Sequence, residues 1–552
     1  MKDSLHAVDA EIPSGDPAVS RTLYLPLLAA AVVVLVTLAS LLWSYDHPYG
    51  FNWDESFYIN QMHADVSHFH AGGVHGLLKA WVTEDRGRPP AYRILAFPFA
   101  AFIGPSPFVL RSVSILFRLL TFWLIYAGVR CLAGRNSAAF AVMFFALCPD
   151  IVFFSTIFYN EYVLYLATAG MCCFVFRSWN QAAGSIGNCL GLGACLGLGA
   201  LAKASFPVLA GCFLLIVAFF GLRKKITGPS PQFLLNASVI GALIAAPWWL
   251  LNFRFALGFA RSAMNFFRDG MGPPGIGTTF RFLLRFLQEG FGLPIGCLCI
   301  AILIVGLVTR LQGRPRKTSN ASSLAAICVL LAALPTCLMP LLTQNQVMYH
   351  ISQSLVLFAC GFALLAKSAG WLSSPARFFI LNIAVLAQLG MTLSPVVLRL
   401  EYPGRRFAWT ALGRWEQWDW NKLRVLLRAQ GLVQPTITFL GGGSTLSPPQ
   451  IEYPWVSHQE RPPEVTWLWR MEDGTPDVPA LVATASTNDV VLTMPDLTTA
   501  NRDGDQQDNL YNTDFARRMS NSPAFEKPLH LSLGRFHPVD VWIFIRKDHR
   551  DH

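Results

Sequence analysis

Charge is what this 552-residue chain has little of: Asp, Glu, Lys and Arg make up only 14% of it, against 53% hydrophobic residues and a mean hydropathy of +0.41. So thin a supply of charge excludes a soluble protein of this length and places the chain in the membrane class. Cysteine is missing from the polar tail beyond residue 398, since all twelve lie before residue 361 and nearly all fall inside apolar runs. That distribution excludes a disulfide framework. Adjacent Cys172 and Cys173, like Cys297 and Cys299, lack the second half that a zinc site requires and read as packing residues. Internal repeats, low-complexity tracts and basic, aromatic-interleaved modules are also missing. The net charge of +10 is therefore read as cytoplasmic-loop Lys and Arg plus anionic-headgroup contacts, not as a nucleic-acid surface.

What is present is a series of apolar runs. The first, 23–43, is longer than a signal-peptide core and has no evident small-x-small cleavage site, so an uncleaved span is expected. Ten more lie near 107–129, 136–155, 158–177, 186–202, 206–222, 233–251, 291–310, 323–342, 350–366 and 377–398, each close to the length that crosses about 30 Å of hydrocarbon. With residues 1–22 in the cytoplasm, every inside loop is basic: Arg130 and Arg135, Arg177, Arg223 to Lys225, Arg310 to Lys317, and Lys367 with Arg377. That parity requires 90–103, too short for a crossing, to be an interfacial helix. The expected fold is thus an α-helical polytopic membrane protein with about eleven transmembrane helices over 23–398, followed by an extracytoplasmic α/β domain over 399–552. In that tail the patterns predict strands at 436–440, 480–484, 489–493 and 539–545 and helices near 419–430 and 510–519. The glycines at 441–443 read as a turn, because the rest of a dinucleotide fingerprint is missing.

Chemistry concentrates in the outside loops. Loop 44–106 carries FNWDESFY (51–58), in which Asn52 and Glu55 resemble a capping box opening a helix that runs to Gly72 and Gly73. Asp54 and Glu55 sit at its start; adjacent side chains there diverge by about 100°, so one acid can address a given substrate atom, and Asp54 is the first choice. Arg86, Arg88 and Arg93 surround the rigid Pro89-Pro90 pair and can grip a phosphate bidentately. Glu161, in Phe158-Tyr-Asn-Glu-Tyr162, lies at the mouth of the fourth span, where an acid is costly unless it faces a cavity or a partner. Lys203 interrupts two apolar runs on the side where positive charge is not expected. Loop 252–290 breaks the charge rule with Arg254, Arg261 and Arg268 on one helical face and Phe255, Phe259 and Phe266 away from it, which predicts an interfacial amphipathic helix. Tyr349 and His350 form a last outside cluster. His63, His68, His70 and His75 crowd the first loop, but no convergent carboxylate or thiolate set accompanies them, so no metal site is assigned.

In order and spacing these features resemble the GT-C glycosyltransferase superfold, in particular the dolichyl-phosphate-mannose protein mannosyltransferases and the lipid A aminoarabinose transferases. The shared elements are the Asp54-Glu55 pair, the Pro-Pro segment running from Arg88 to Tyr92, Arg111, the acid before the fourth span and Leu201-Ala-Lys-Ala-Ser205, across roughly residues 20–370. The family usually has His or Lys where this chain has Arg88, Asp where it has Glu161, and Arg-Tyr where it has Tyr349-His350. The resemblance implies transfer of a sugar from a polyprenyl-phosphate carrier to an extracytoplasmic acceptor with inversion. On that expectation Asp54 is the base, with Glu55 and Glu161 assisting. Arg86, Arg88, Lys203, Arg254, Arg261 and Arg268 bind the donor phosphate, and Tyr58, Tyr159, Asn160, Tyr349 and His350 contact acceptor or sugar. No cofactor is expected, with a divalent cation between Asp54 and Glu161 left open. The expected partners are the lipid-linked sugar, membrane lipids and a protein, lipid or polysaccharide acceptor. The expected location is a bacterial inner membrane. A transporter or flippase is the rival reading; it would place ionisable residues mid-span and show half-chain repeats.

Overall fold

The computed structural model describes residues 17–50, 52–179, 185–222, 228–265, 275–311, 320–338, 341, 351–398, 417–441, 446–468, 475–495, 506–535 and 538–548. Ahead of the tail the described helices are α1 (Pro17–Asp46), α2 (Trp53–Thr83), α3 (Ala91–Ile103), α4 (Pro107–Ala133), α5 (Arg135–Leu147), α6 (Pro149–Phe154), α7 (Glu161–Arg177) and α8 (Ile186–Ala200). They continue as α9 (Phe206–Gly221), α10 (Pro231–Asn265), α11 (Ile276–Arg285), α12 (Leu293–Leu311), α13 (Asn320–Cys337), α14 (Ser354–Ser368) and α15 (Pro375–Val397). Each expected span falls on a helix, and the chain is an integral, multi-pass membrane protein. Among the described residues, length and hydropathy alone qualify four crossings: Tyr24–Asp46, Pro107–Ala133, Pro231–Ser262 and Pro375–Val397. A fifth arises if α11, extended by a π-turn at Phe286–Gly290, and α12, set at 114° to it across the break before Leu293, count as one broken span.

The bundle is organised by which helices are apolar all round. From Ser137 to Leu147 every residue of α5 is buried, and α7 and α14 are nearly as enclosed, so these form the centre. In contrast α1 and α10 present Leu27, Val34, Leu42, Leu243 and Leu250 outward. Close contact between α8 and α10 depends on small residues: a Cβ at Gly193 or Gly197 would fall 2.6 or 2.7 Å from Ile240 or Ile244. Small residues four apart let two helix backbones approach in lipid, where hydrophobic burial offers little driving force.

Two expectations about the loops are refined. The helix opened by Asn52 does break at Gly73, whose φ of 58° suits a residue without a Cβ, but helical structure resumes to Thr83. The amphipathic stretch holding Arg254 and Arg261 is not a separate interfacial helix. It continues α10 through Gly258 to Asn265, because no proline follows Pro247 in that stretch to block the helical hydrogen bonds. The short segment expected at 90–103 is helical, as α3.

In the tail, β1 (Thr436–Leu440), β2 (Glu464–Trp467), β3 (Val490–Thr493), β4 (Leu529–Leu533) and β5 (Val539–Ile545) form one sheet in the order β2-β1-β3-β5-β4. The first three run parallel, while β5 and β4 complete the sheet antiparallel. Helices α16 (Asn421–Ala429) and α17 (Pro448–Ser457) pack Leu423, Leu427, Ile451 and Trp455 on one face, and α18 (Val478–Ala485) and α19 (Gln506–Ser520) cover the other. The expected strand at 480–484 is a correction: it is α18. Asp477 accepts the Ala480 N–H at 3.3 Å and Pro479 sits in the first turn, and these start signals outweigh the β-like run Leu481-Val482.

Helix α17 lies along α2, which couples the tail to loop 44–106. On it, burial pushes the Glu452 carboxyl from its ordinary value of 4.5 up to about 7. A raised carboxyl value means that the folded tail holds the proton more tightly than the unfolded chain. The resulting stabilisation is complete below pH 4.5 and is lost as the pH rises through about 7. Thermal melts of the purified protein should therefore show a tail transition that falls between about pH 4.5 and pH 7 and levels off above that, and Glu452→Gln should flatten that fall. An unchanged slope in the variant would refute the assignment.

Candidate active site

The site begins at the N-terminus of α2. Asn52 adopts an extended backbone and accepts the Glu55 N–H at 3.0 Å, so the expected cap is present and the two acids share the first helical turn. Their side chains then separate. Glu55 is fully buried; its Oε1 accepts from Arg111 Nε at 2.8 Å and from the Phe158 N–H at 2.9 Å, and its Oε2 accepts from Arg111 Nη2 at 2.7 Å. The same guanidinium donates to the carbonyls of His47 and, at 2.8 Å, Tyr49, and lies over the Trp43 ring. Glu55, expected beside Asp54 at the chemistry, is instead enclosed and occupied: it anchors the loop and does not face open space.

Asp54 points the other way. It is half-buried, and its Oδ2 accepts the Tyr159 hydroxyl at 2.9 Å. Tyr159 also exchanges hydrogen bonds with the Asn52 side chain and meets Tyr58 edge-on at 5.4 Å, with Tyr58 packed on Tyr92 at 4.6 Å. Glu161, first residue of α7, is fully buried: Oε1 pairs with Lys203 Nζ at 2.8 Å, while Oε2 has no hydrogen-bond partner. Asp54 interacts electrostatically with both Glu161 and Arg88. Arg88 is held between the rings of Phe57 at 4.6 Å and Phe259 at 4.7 Å and touches Asp85 at 3.5 Å, so α10 supplies one wall of the site. The loop thus gathers Asp54, Tyr58, Tyr159, Glu161, Lys203 and Arg88.

Other expected residues lie further out. Arg86 sits over Phe255 at 4.8 Å, and Arg254 and Arg261 are exposed on the outer end of α10. Asn160 donates to the Ala202 carbonyl at 3.4 Å, tying α7 to the turn that carries Lys203. Arg268, Tyr349 and His350 lie outside the described residues. Among the described residues no group of three or more His, Cys, Asp or Glu could hold a metal ion; His63 meets Tyr453, and His68 pairs with Glu84. Beside Lys203, between α8, α9 and α10, opens an apolar groove of about 650 Å³ lined by Ala200, Ala204, Phe206, Ala242, Trp249 and Phe253.

Residues 87–251 match the family described as dolichyl-phosphate-mannose-protein mannosyltransferase, a stretch that includes Arg88, Arg111, Glu161, Lys203 and most of the groove. A search of curated protein sequences found no match. Among solved structures, ArnT from Cupriavidus metallidurans bound to undecaprenyl phosphate is similar with a TM-score of 0.57 at 15% identity, covering 94% of this chain and 98% of that one. Its apo state gives 0.58 at 15% identity, over 96% and 98%. The arabinofuranosyltransferase AftD from Mycobacteria gives 0.54 at 13% identity, covering 94% of this chain but 40% of its own.

The chain has the GT-C glycosyltransferase fold.

Within that fold the residues that sequence reasoning undervalued are the buried cations. Arg111 stands among the shared motifs with no role of its own, and Arg93, expected with Arg86 and Arg88 to grip a phosphate, is instead fully enclosed with Asp65 and bonded also to Glu84. Arginine within or beside an apolar run is costly unless paired, and that was the signal available for both. Arg111→Ala would strip buried Glu55 of both its guanidinium donors. It should cost about 3–5 kcal/mol, seen as a lower melting temperature and reduced yield of detergent-purified protein. Arg111→Lys should recover little, since an ammonium cannot reproduce the bidentate fork. A wild-type melt for Arg111→Ala would contradict this account.

Proposed function

We propose that this GT-C chain is a membrane glycosyltransferase that moves a sugar from a polyprenyl-phosphate donor to an extracytoplasmic acceptor with inversion at the anomeric carbon. The carrying observation is one constellation: a half-buried acid, Asp54, placed by Tyr159, beside the Glu161–Lys203 pair at the mouth of an apolar groove. The groove suits an isoprenoid tail, and Lys203, one residue from Ala204 in its lining, suits the phosphate at the tail's end. ArnT was solved with undecaprenyl phosphate, a lipid of that chemistry.

In the reaction the acceptor hydroxyl attacks the anomeric carbon from the face opposite the phosphate. The new C–O bond forms as the bond to phosphate breaks, and Asp54 takes the hydroxyl proton. The leaving phosphate keeps the electron pair and needs no proton, so cations rather than a general acid stabilise it. Lys203 and Arg88 take that part; Arg86, Arg254, Arg261 and Arg268 attract the headgroup region. Glu161, neutralised on one oxygen by Lys203, keeps the other available to a sugar hydroxyl. Because the Lys203 ammonium already supplies positive charge between the acids and the donor, no divalent cation is needed. Tyr58 and Tyr159 position Asp54, with Tyr349 and His350 assigned to the acceptor side. The accompanying topology is eleven crossings over 23–398 in a bacterial inner membrane, residues 1–22 in the cytoplasm, and loop 44–106 and the tail from 399 outside.

Two results test this reading. In membranes supplied with polyprenyl-phosphate sugars and excess EDTA, wild type should transfer at an undiminished rate and Asp54→Asn should lose at least about 100-fold, the usual contribution of a general base, while staying inserted and folded. Full activity in Asp54→Asn, or loss in EDTA, would count against it. Ala242→Trp, filling the groove from a position exposed to it, should raise the apparent donor KM about tenfold with kcat retained, equivalent to about 1.4 kcal/mol of lost uniform binding. A donor KM that does not move would place the lipid tail elsewhere.

A further inference from the structure

Seven residues beyond Arg111 on α4, and so on nearly the same helical face, stands a second buried arginine. Arg118 is 1% exposed. Its Nη1 donates to the Ser155 and Thr156 hydroxyls at 3.3 Å each, and its Nη2 donates to the Ser40 hydroxyl at 3.0 Å. Among the described residues no acid pairs with it, and its Nε has no hydrogen-bond partner. A guanidinium inside a membrane span with only hydroxyls around it is a cost to folding, and an ionisable residue so placed points to function. The hydroxyls do not depend on it. Ser155 donates to the Ile151 carbonyl, Thr156 to that of Val152, and Ser40 accepts from Thr156 at 2.9 Å.

Ser40 belongs to α1, whereas Ser155 and Thr156 open the turn between α6 and α7. The next residues of that turn reach the site. The Phe158 N–H donates to Glu55 at 2.9 Å, the Tyr159 hydroxyl to Asp54 at 2.9 Å, and the Asn160 side chain to the Ala202 carbonyl at 3.4 Å. We infer that Arg118 is a positioning residue for the proposed transfer: by clamping Ser155 and Thr156 against α1, it sets where the Tyr159 hydroxyl holds the Asp54 carboxylate. The inference rests on Asp54 being the base of that reaction. A planar guanidinium that spans two residues of the turn and one of α1 fixes direction as well as distance, which the single Thr156–Ser40 contact does not. Tyr159 follows Thr156 by three residues, so a small rotation at the start of the turn displaces its hydroxyl. Misplacement of that kind costs rate more than stability. The buried charge is thus kept against stability, for geometry at Asp54.

Thermal melts and fluorine NMR of the full-length protein in lipid nanodiscs, with rates in native membranes supplied with undecaprenyl-phosphate mannose or undecaprenyl-phosphate glucose, test this. Arg118→Met should melt at or above the wild-type temperature, because an apolar chain replaces an unpaired buried charge. Its kcat should fall at least tenfold while the donor KM stays within about twofold. The double variant Arg118→Met with Tyr159→Phe should be no slower than Tyr159→Phe alone, since the effect passes through that hydroxyl. With 3-fluorotyrosine at position 159, the fluorine resonance should shift between wild type and Arg118→Met. If Arg118→Met does not fold, Arg118→Gln, which keeps an amide donor without the charge, carries the same comparisons. An unchanged kcat, a rate loss that follows a lowered melting temperature, multiplicative effects in the double variant or an unmoved fluorine resonance would each overturn the inference. Activity retained in Asp54→Asn would instead remove the base assignment, and a fluorine shift in a protein that transfers nothing would keep the Arg118 clamp without the transferase reading.

Discussion

The Arg111 guanidinium and the Glu55 carboxylate, both sealed from solvent, fix everything that follows at this site. A buried pair of this kind adds little net stability, because desolvating two ions offsets most of their attraction, but it tolerates few alternative geometries. Here its remaining donors take the carbonyls of His47 and Tyr49. One side chain from α4 thereby sets the path of the chain as it leaves α1 and turns into α2. With that path set, Asp54 projects on the other side of the first turn, toward Tyr159.

The two acids of one motif are thus given different work by their surroundings. Glu55 spends both oxygens on structure, while Asp54 keeps one hydrogen bond and partial exposure. A similar division separates the cations. Arg93 and Arg111 are consumed by buried acids. Arg88, gripped between two phenylalanines from different segments, and Lys203, on a turn tied to α7 by Asn160, are also paired, with Asp85 and Glu161, but stay half-buried rather than sealed. Of the two, Lys203 is next in the chain to Ala204, which lines the apolar groove.

The Tyr49 carbonyl accepts from Arg111 and from Gln417, so the bundle and the tail grip the same backbone atom. Arg535 reinforces that junction, donating to the Asp46 carbonyl and pairing with its carboxylate at 3.5 Å. Movement of the tail against the bundle would have to disturb the segment that aims Asp54. The tail's fold is therefore felt at the turn that carries Asp54, although it begins 345 residues later in the chain.

Local chemistry is what the sequence determined by itself. Hydropathy placed a helix under every expected span, the Asn52 cap and the glycine break of α2 could be read from turn and capping residues, and the strands at 436–440, 489–493 and 539–545 followed from β-branched runs. The same local reading misassigned α18, where capping signals opposed a β-like composition. It also missed β2, β4 and α17, whose short or mixed patterns gain meaning only from their neighbours. Asp54, Glu161 and Lys203 were legible as candidates because charge beside an apolar run is conspicuous. Which of those charges are paired off and which face a cavity depends on contacts between residues far apart in the chain. Glu55 meets Arg111, Glu161 meets Lys203 and Trp53 meets Trp467 through packing alone, so only the tertiary structure could decide their roles.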